Sequence, residues 1–330
     1  MTSSEPSGAP KAPPGDGAGR LAFALAAAGV AFASRRPMVQ DPVANIDRAD
    51  ESGLLVAEHE VPTNDGGTLM AYVCGEGDTG VVVLAHCWTG NATNWAPVTR
   101  RLVAKGCRVV RWDQRGHGRS SGGSAGHSVG AIGDDLACVL GELDLREVVL
   151  AGHSMGGMTI QSYFARHPAD ARDRIRAITL AATAASNPLP PLPGVVLSPI
   201  FAMARNLTDH PTLGRQFVRS SFGPSARRDH VEAARAHYVA TTPEVVAHFG
   251  ASMTRMDLRE TNAEVTVPVQ VLVGSRDPLT PPKLARELVE SLPHAEIQML
   301  DRLGHMLVFE APETIAETIL TQVQSVTPVP

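Results

Sequence analysis

The chain has 330 residues, of which 43% are hydrophobic and 19% charged, so it can bury a sizeable core. This length permits one large α/β domain with an insertion, or two small domains. The net charge is −5 with acids and bases interspersed, so no nucleic-acid partner is expected. The four cysteines have no CxxC spacing and the histidines have no HExxH spacing. We therefore expect no disulfide framework and no metal site. The chemistry predicted below implies no organic cofactor either.

The N-terminal region, residues 1–50, is predicted to be a disordered tail because it begins with Ser, Pro, Gly and Ala and few large apolar residues. It contains an apolar segment at 21–33, which is too short to span a bilayer comfortably. Arg20 before this segment fits a signal peptide, but the pair Arg35-Arg36 after it does not. The prediction is a cytoplasmic protein, with export or contact with a membrane surface through 21–33 as alternatives.

Strand and helix patterns alternate along residues 51–184 and again along 263–330. The first two strands flank the turn signal Thr63-Asn64-Asp65-Gly66-Gly67, which predicts an antiparallel hairpin. The later strands are apolar throughout, as strands covered by helices on both faces are. The predicted fold is α/β, a doubly wound and mostly parallel sheet with an N-terminal antiparallel hairpin. The strands are expected at 54–61, 68–73, 81–85, 108–112, 148–151, 175–180, 267–273 and 295–300, and the helices at 95–104, 131–143, 159–165, 282–292 and 313–323.

The alternation stops between residues 185 and 262. This interval is rich in proline at its start, shows no clear strand, and has helical stretches such as 195–204 and 231–238. We predict that it forms a helical cap over the C-terminal ends of the strands, where ligands bind in such sheets. The two flanking intervals, 51–184 and 263–330, then form one core.

The sequence Gly152-His153-Ser154-Met155-Gly156 lies between a predicted strand and a predicted helix. A serine with a glycine two residues away on each side can occupy the apex of a sharp strand-to-helix turn. The neighbours must be small because the helix and the adjacent strand pass close to the turn. Ser154 is therefore the predicted nucleophile.

A serine hydroxyl needs a base to take its proton and an acid to orient that base. His305 follows the last strand, at the same sheet edge as Ser154, and is the predicted base. Asp277 follows the strand at 267–273 at that edge and is the predicted acid. Asp301 is too near the end of its strand to turn back on His305 easily. The catalytic residues then occur in the order Ser, Asp, His.

Acyl transfer also needs hydrogen-bond donors for the oxyanion. The backbone N–H of Met155 is one predicted donor, because it begins the helix after Ser154. The other is assigned to the N–H of Trp88, in the loop after the strand at 81–85, with Cys87 as the weaker alternative. Cys87 and His153 are predicted to line the substrate pocket.

These motifs together resemble the α/β-hydrolase superfamily, as a serine esterase- or lipase-like member with a helical cap. The resemblance covers roughly residues 54–184 and 263–330. It implies that the segment Asp113 to Ser120 packs beside the nucleophile turn, with His117 in a structural role. In the family the residue at Cys87 is usually glycine, so a positive φ there would strain the cysteine. Besides the motifs already described, the resemblance is carried by His86-Cys87-Trp88-Thr89-Gly90, Asp277-Pro278-Leu279-Thr280-Pro281 and Gly304-His305.

The predicted function is hydrolysis of a carboxylic ester or similarly activated acyl compound through an acyl-enzyme, with a small-molecule acyl substrate as the partner. The same triad could serve carbon–carbon bond hydrolysis, cofactor-free haloperoxidase or perhydrolase chemistry, or a peptidase, and a non-catalytic binding protein is the remaining alternative. An epoxide hydrolase or dehalogenase is disfavoured, since the resemblance would then place an aspartate at Ser154. Apolar residues of the predicted cap either favour a medium-chain or bulky acyl group or only pack the cap on the core: Leu197, Ile200, Phe201 and Met203.

Overall fold

A computed structural model describes residues 38–39, 47–48, 53–188 and 208–326 of the chain. The predictions for the apolar segment 21–33, for nearly all of the tail, and for the cap residues at 197–203 lie outside the described residues. Among the helices in the described ranges, none combines the length and apolar character needed to cross a membrane.

The described core is built on one eight-stranded sheet with the order β1-β2-β4-β3-β5-β6-β7-β8. β1 pairs antiparallel with β2, and β2 antiparallel with β4. All other neighbours are parallel, which confirms the predicted sheet and its N-terminal hairpin. The strands are β1 (Leu55–Pro62), β2 (Thr68–Cys74), β3 (Gly80–Ala85), β4 (Cys107–Trp112), β5 (Val148–His153), β6 (Ile175–Ala181), β7 (Val269–Gly274) and β8 (Ala295–Leu300).

Helices cover both faces of the sheet because its central strands are apolar on both sides. In β3, Val82 and Leu84 join one apolar cluster and Val83 joins the other, as the two-residue period of a strand requires. The helices are α1 (Ala96–Val103), α2 (Val129–Glu142), α3 (Met155–Arg166), α4 (Pro168–Arg174), α5 (Pro211–Arg219), α6 (Arg228–Ala240), α7 (Pro243–Met253), α8 (Arg259–Asn262), α9 (Pro282–Ser291), α10 (Leu307–Glu310) and α11 (Pro312–Val326).

Four helices, α5 to α8, lie in the described part of the interval between β6 and β7, and we call them the inserted helices. Hydrogen bonds near the end of α7 and the start of α8 connect these helices to the core. The N–H of Leu258 donates to the carbonyl of Ala185 over 2.7 Å, and Ser252 Oγ accepts from the N–H of Val129 over 3.0 Å. α6 includes the predicted helical stretch 231–238, whereas α5, α7 and α8 were not delimited from the sequence. The described part of the predicted cap interval is thus largely helical.

A buried ion pair fastens the turn between β1 and β2 to the helical layer. Arg115 is almost fully buried and donates to both carboxylate oxygens of Asp135 over 2.6 and 2.7 Å. The same guanidinium donates over 3.0 Å to Asp65 in the turn. One buried cation is therefore paired with two carboxylates by directed hydrogen bonds, the arrangement that a buried ion requires.

Replacing Arg115 with glutamine is expected to lower the free energy of unfolding by about 3 to 5 kcal/mol, because it leaves the buried Asp135 carboxylate without its counter-ion. Urea unfolding at neutral pH measures this change. Arg146→Gln is the control: Arg146 is 53% exposed and pairs with exposed Asp173, so its loss should cost less than about 1 kcal/mol. Equal effects of the two substitutions would contradict the assigned role of Arg115.

Candidate active site

Ser154 occupies a strained turn between β5 and α3. Its φ of 55° and ψ of −116° lie in a region that residues with side chains rarely adopt. Hydrogen bonds hold this conformation: the N–H of Ser154 donates to the carbonyl of Ala181 over 2.9 Å, and the Thr183 hydroxyl donates to the carbonyl of Ser154 over 2.7 Å. The conformation is that of a nucleophile elbow.

The glycines around Ser154 are required by space. A Cβ on Gly156 would lie 2.0 Å from the carbonyl oxygen of Ala85, at the end of the neighbouring strand β3. A Cβ on Gly152 would lie 2.5 Å from the carbonyl of Gly156. Only glycine lets α3 begin this close to β3 and β5, as the glycine spacing around Ser154 predicts.

His305 and Asp277 meet at the C-terminal edge of the sheet. The distance from His305 Nδ1 to Asp277 Oδ2 is 2.9 Å, and both side chains are almost fully buried. Because a carboxylate only accepts hydrogen bonds, the hydrogen of the imidazole is on Nδ1 and Nε2 is left as an acceptor. His305 also lines the pocket that Ser154 lines. The three predicted residues are thus brought to one site.

The Asp277 carboxylate is itself fixed by its own loop. Its Oδ1 accepts from the N–H groups of Leu279 and Thr280 over 2.8 and 2.9 Å. Its Oδ2 accepts from the Thr280 hydroxyl over 2.8 Å. Thr280 therefore fixes the Asp277 carboxylate, which in turn binds the His305 ring. The sequence prediction did not include Thr280, although a threonine three residues after the acid could have indicated this role.

The loop after β3 carries its backbone strain at Thr89, whose φ is 59°. Cys87 does not have a positive φ, so the strain considered for this cysteine is not present. His117 Nε2 accepts from the N–H of Thr89 over 3.1 Å, and this bond holds the strained residue in place. Burial lowers the pKa of His117 to about 3, so its ring is neutral and can accept. This placement agrees with the structural role expected for His117.

Cys87 lies in the wall of the pocket and is buried. Burial raises the pKa of its thiol to about 12, so the side chain is a neutral, weakly polar group at working pH. Trp88 also lines the pocket, and Met155 is the first residue of α3 directly after Ser154. The assignment of the Trp88 and Met155 amides as oxyanion donors stays a prediction.

His153 is not in the pocket wall, where its place beside Ser154 in the sequence predicts it. It is fully buried, and the pocket wall in the described part of the chain does not include it. Burial lowers the pKa of His153 to about 3, and its neutral Nε2 donates to the backbone carbonyl of His305 over 2.8 Å. This hydrogen bond directs the His153 ring to the backbone of His305, and the predicted place of His153 in the pocket wall is not observed.

Core and inserted helices together form the pocket at Ser154. The inserted helices and the segments beside them contribute mainly apolar side chains, of which Phe217 and Met253 were not foreseen. In the described ranges, no Asp, Glu, Lys or Arg lines this pocket. Its walls are formed by Cys87, Trp88, Thr89, Asn94, Ser154, Met158, Pro188, Phe217, Val218, Ser220, Ser221, Ala234, Tyr238, Met253, Leu279, Thr280, His305 and Met306. Within the same ranges, no cluster of three or more His, Cys, Asp or Glu could hold a metal ion.

A family model described as Serine aminopeptidase, S33 matches residues 77–312, well over half of the chain. The chain belongs to the α/β-hydrolase superfamily. It is 30% identical to a non-heme chloroperoxidase from Streptomyces lividans, over 80% of this chain and 99% of the relative. It is 26% identical to a 2-hydroxy-6-oxononadienedioate/2-hydroxy-6-oxononatrienedioate hydrolase from Cupriavidus pinatubonensis, over 81% of this chain and 94% of the relative. A thermophilic esterase from Thermogutta terrifontis superposes with a TM-score of 0.68 at 25% identity, covering 83% of this chain and all of the esterase chain.

Substitution of Gly156 by alanine is expected to lower the free energy of unfolding by about 1 to 3 kcal/mol, because the added methyl group forces α3 away from β3. The same shift displaces Ser154, and a displacement near 1 Å costs on the order of 100-fold in turnover. Urea unfolding and the rate of hydrolysis of p-nitrophenyl acetate measure the two effects.

Gly141→Ala is the matched control for this substitution. Gly141 lies in α2, is exposed, and has no atom within 4 Å of a Cβ built on it. Alanine there should stabilise the protein by about 0.5 to 1 kcal/mol and leave turnover unchanged. A Gly156→Ala protein with wild-type stability and activity would show that the elbow does not need this close approach.

Proposed function

We propose that this chain is a serine hydrolase that cleaves carboxylic esters through an acyl-enzyme. The observation that carries the proposal is the shared pocket of Ser154 and His305, with the His305 ring hydrogen-bonded to Asp277 over 2.9 Å. A serine on an elbow, an imidazole with one free acceptor nitrogen and a buried carboxylate are the parts that acyl transfer needs.

In the proposed reaction, Ser154 Oγ attacks the ester carbonyl carbon while its proton passes to Nε2 of His305. Asp277 stabilises the resulting imidazolium, and the Met155 and Trp88 amides bind the oxyanion. The imidazolium then protonates the departing alkoxide as the carbon–oxygen bond breaks. Water, deprotonated by His305, attacks the acyl-enzyme, and the proton returns to Ser154 as the acid is released. Each proton taken up is given back, so one ester and one water yield one acid and one alcohol.

The pocket wall supports an uncharged ester as the substrate. An aminopeptidase must hold a substrate ammonium group, and a hydrolase of a dicarboxylate must hold a carboxylate. Either charge would need a counter-ion in so apolar a cavity, since burying it alone is costly. The absence of Asp, Glu, Lys and Arg from the described pocket wall therefore favours neutral acyl groups over both.

Perhydrolysis is the second candidate, and the chloroperoxidase relative from Streptomyces lividans favours it. Hydrogen peroxide would replace water in the attack on the same acyl-enzyme and release a peracid. Nothing else in the scheme changes. Assay of peracid formation from acetate ester and peroxide, beside ester hydrolysis, separates the two activities.

Ser154→Ala is expected to reduce the hydrolysis of p-nitrophenyl butyrate by roughly 10⁴-fold or more, because the acyl-enzyme cannot form. A fluorophosphonate probe should label the wild type and leave this variant unlabelled. Ser220→Ala is the control, since Ser220 lines the same pocket; it should keep its labelling and its turnover to within a few-fold. Retained turnover in folded Ser154→Ala protein would rule out the proposed mechanism.

The uncharged pocket wall should also make the enzyme discriminate against a charged acyl group. Among p-nitrophenyl esters of equal chain length, the neutral pentanoate should exceed the glutarate half-ester and the 4-aminobutyrate in kcat/KM by roughly 100-fold, since an unpaired charge in the pocket costs about 3 kcal/mol or more. The common leaving group keeps the chemistry matched. Comparable rates for a charged and a neutral ester would contradict the proposed substrate class.

A further inference from the structure

The segment after α5, residues 220–223, crosses directly over the loop that carries His305. The N–H of His305 donates to the carbonyl of Ser221 over 2.7 Å. Gly304 and Gly223 make this crossing possible: a Cβ on Gly304 would lie 2.5 Å from the nitrogen of Gly223. A Cβ on Gly223 would lie 2.5 Å from the carbonyl oxygen of Arg302. The backbone before His305 is therefore in direct contact with the segment that joins α5 to α6.

One carboxylate bridges the two segments at this crossing. Glu310 lies at the end of α10, five residues after His305. Its Oε1 accepts from the N–H of Gly223 over 2.6 Å, and its Oε2 accepts from the N–H of Gly304 over 3.1 Å. Glu310 does not line the described pocket, so it acts on backbone and not on substrate.

Aromatic packing holds the carboxylate in this place. Phe309, the residue before Glu310, stacks on Phe222 with ring centroids 6.3 Å apart. The Phe309 ring also stacks on the ring of His230 in α6, with the centroids 5.0 Å apart. α6, segment 220–223 and α10 are thus packed together, and the Glu310 carboxylate accepts from both segment 220–223 and the His305 loop.

We propose that Glu310 is a positioning residue for His305, and that its carboxylate sets the histidine loop by binding Gly304 and Gly223 together. The inference rests on the proposed function, because it assigns His305 the role of general base. A small tilt of the imidazole changes its distance to the Ser154 hydroxyl, and proton transfer needs a short, aligned hydrogen bond. Glu310 therefore contributes to turnover and not to substrate binding.

The charge of Glu310 changes within the working range of such an enzyme. Burial raises its pKa to about 6, the nearby Asp277 adds to this, and the hydrogen bonds from Gly223 and Gly304, with Arg219 at the end of α5, oppose it. The other titratable groups at this contact are His305 itself and His230 on α6. Above pH 6 the ionised carboxylate accepts from both amides. Below pH 6 its proton occupies an oxygen, and the bond to Gly304 is weakened.

The test compares Glu310→Gln with the wild type on a neutral p-nitrophenyl ester from about pH 5 to about pH 8. Glutamine keeps one acceptor oxygen but turns an amide N–H toward one of the two backbone donors. At pH 8, kcat should fall on the order of tenfold with KM unchanged, within the hundredfold cost of a 1 Å displacement. Toward pH 5 the ratio of wild type to variant should approach one, because the wild-type carboxylate is then protonated. Taking the ratio removes the pH effects that are common to both proteins.

Glu313→Gln is the matched control, since Glu313 is an exposed carboxylate three residues further on and its loss removes the same charge. Glu310→Asp is the second variant: it keeps an ionisable group one methylene shorter, and should retain the pH-dependent part of the activity with an intermediate kcat. A kcat loss in Glu310→Gln that is the same at all pH values, or a loss expressed in KM, would overturn the proposal. So would wild-type kinetics in either Glu310 variant.

Fluorophosphonate labelling separates this proposal from the function on which it rests. Full labelling of Ser154 in Glu310→Gln, at a slower rate above pH 6, is the expected result. Turnover that survives in Ser154→Ala overturns the hydrolase mechanism whatever the Glu310 variants do. Normal behaviour of Ser154→Ala with unaltered Glu310 variants overturns the positioning role alone.

Discussion

The structure of this hydrolase depends on the strained backbone of Ser154. A φ of 55° with a ψ of −116° is unfavourable by about 1 to 3 kcal/mol for a residue with a side chain, and it persists only where its surroundings fix it. Here the surroundings are the close approach of Gly156 to the Ala85 carbonyl, the bond from the Ser154 N–H to β6, and the Thr183 hydroxyl. Two strands and a helix must each have their observed spacing for the turn to exist. The α/β sandwich is the scaffold that supplies this spacing.

Three buried histidines connect the loops around that turn, and each is neutral because burial lowers its pKa to about 3. His86 accepts from the N–H of Gln114, which joins the loops after β3 and β4. His117 accepts from the N–H of Thr89 and joins the same loops in the reverse direction. His153 donates to the carbonyl of His305 and joins β5 to the last loop. A neutral imidazole carries one donor and one acceptor, so it can bridge two backbone segments without a buried charge.

Much of the core could be predicted because it rests on local patterns. Local sequence determines three of its features: the apolar strands, the hairpin turn and the glycine spacing around Ser154. The sheet and the sharp turn at Ser154 could therefore be predicted from the sequence. The meeting of Asp277 and His305 was predicted by a topological rule, that loops after parallel strands share one edge. The position of His153 was not predictable in this way. Its neighbour in sequence is Ser154, but its hydrogen-bond partner is the carbonyl of His305, 152 residues away.

The inserted helices were harder to predict because their contacts, like that of His153, are with residues distant in sequence. Phe217 and Met253 enter the pocket because α5 and α7 are held by contacts with the core, and no period in the local sequence encodes those contacts. The role of Glu310 was hidden for a further reason. Its sequence context is an ordinary helix end, and only the crossing of residues 220–223 over the His305 loop gives its carboxylate two backbone donors.

Cys87 is accommodated because the strain in its loop lies two residues further on. A left-handed conformation is needed at one point after β3, and Thr89 adopts it with its N–H held by His117. Position 87 can therefore hold any small residue that fits beside Gly90. A Cβ built on Gly90 would lie 2.9 Å from the Cys87 sulfur. The Cys87 thiol thus occupies space that a side chain at position 90 would otherwise fill. A glycine at 87 would therefore remove sulfur from the pocket wall without relieving backbone strain, and its effect should be on substrate fit.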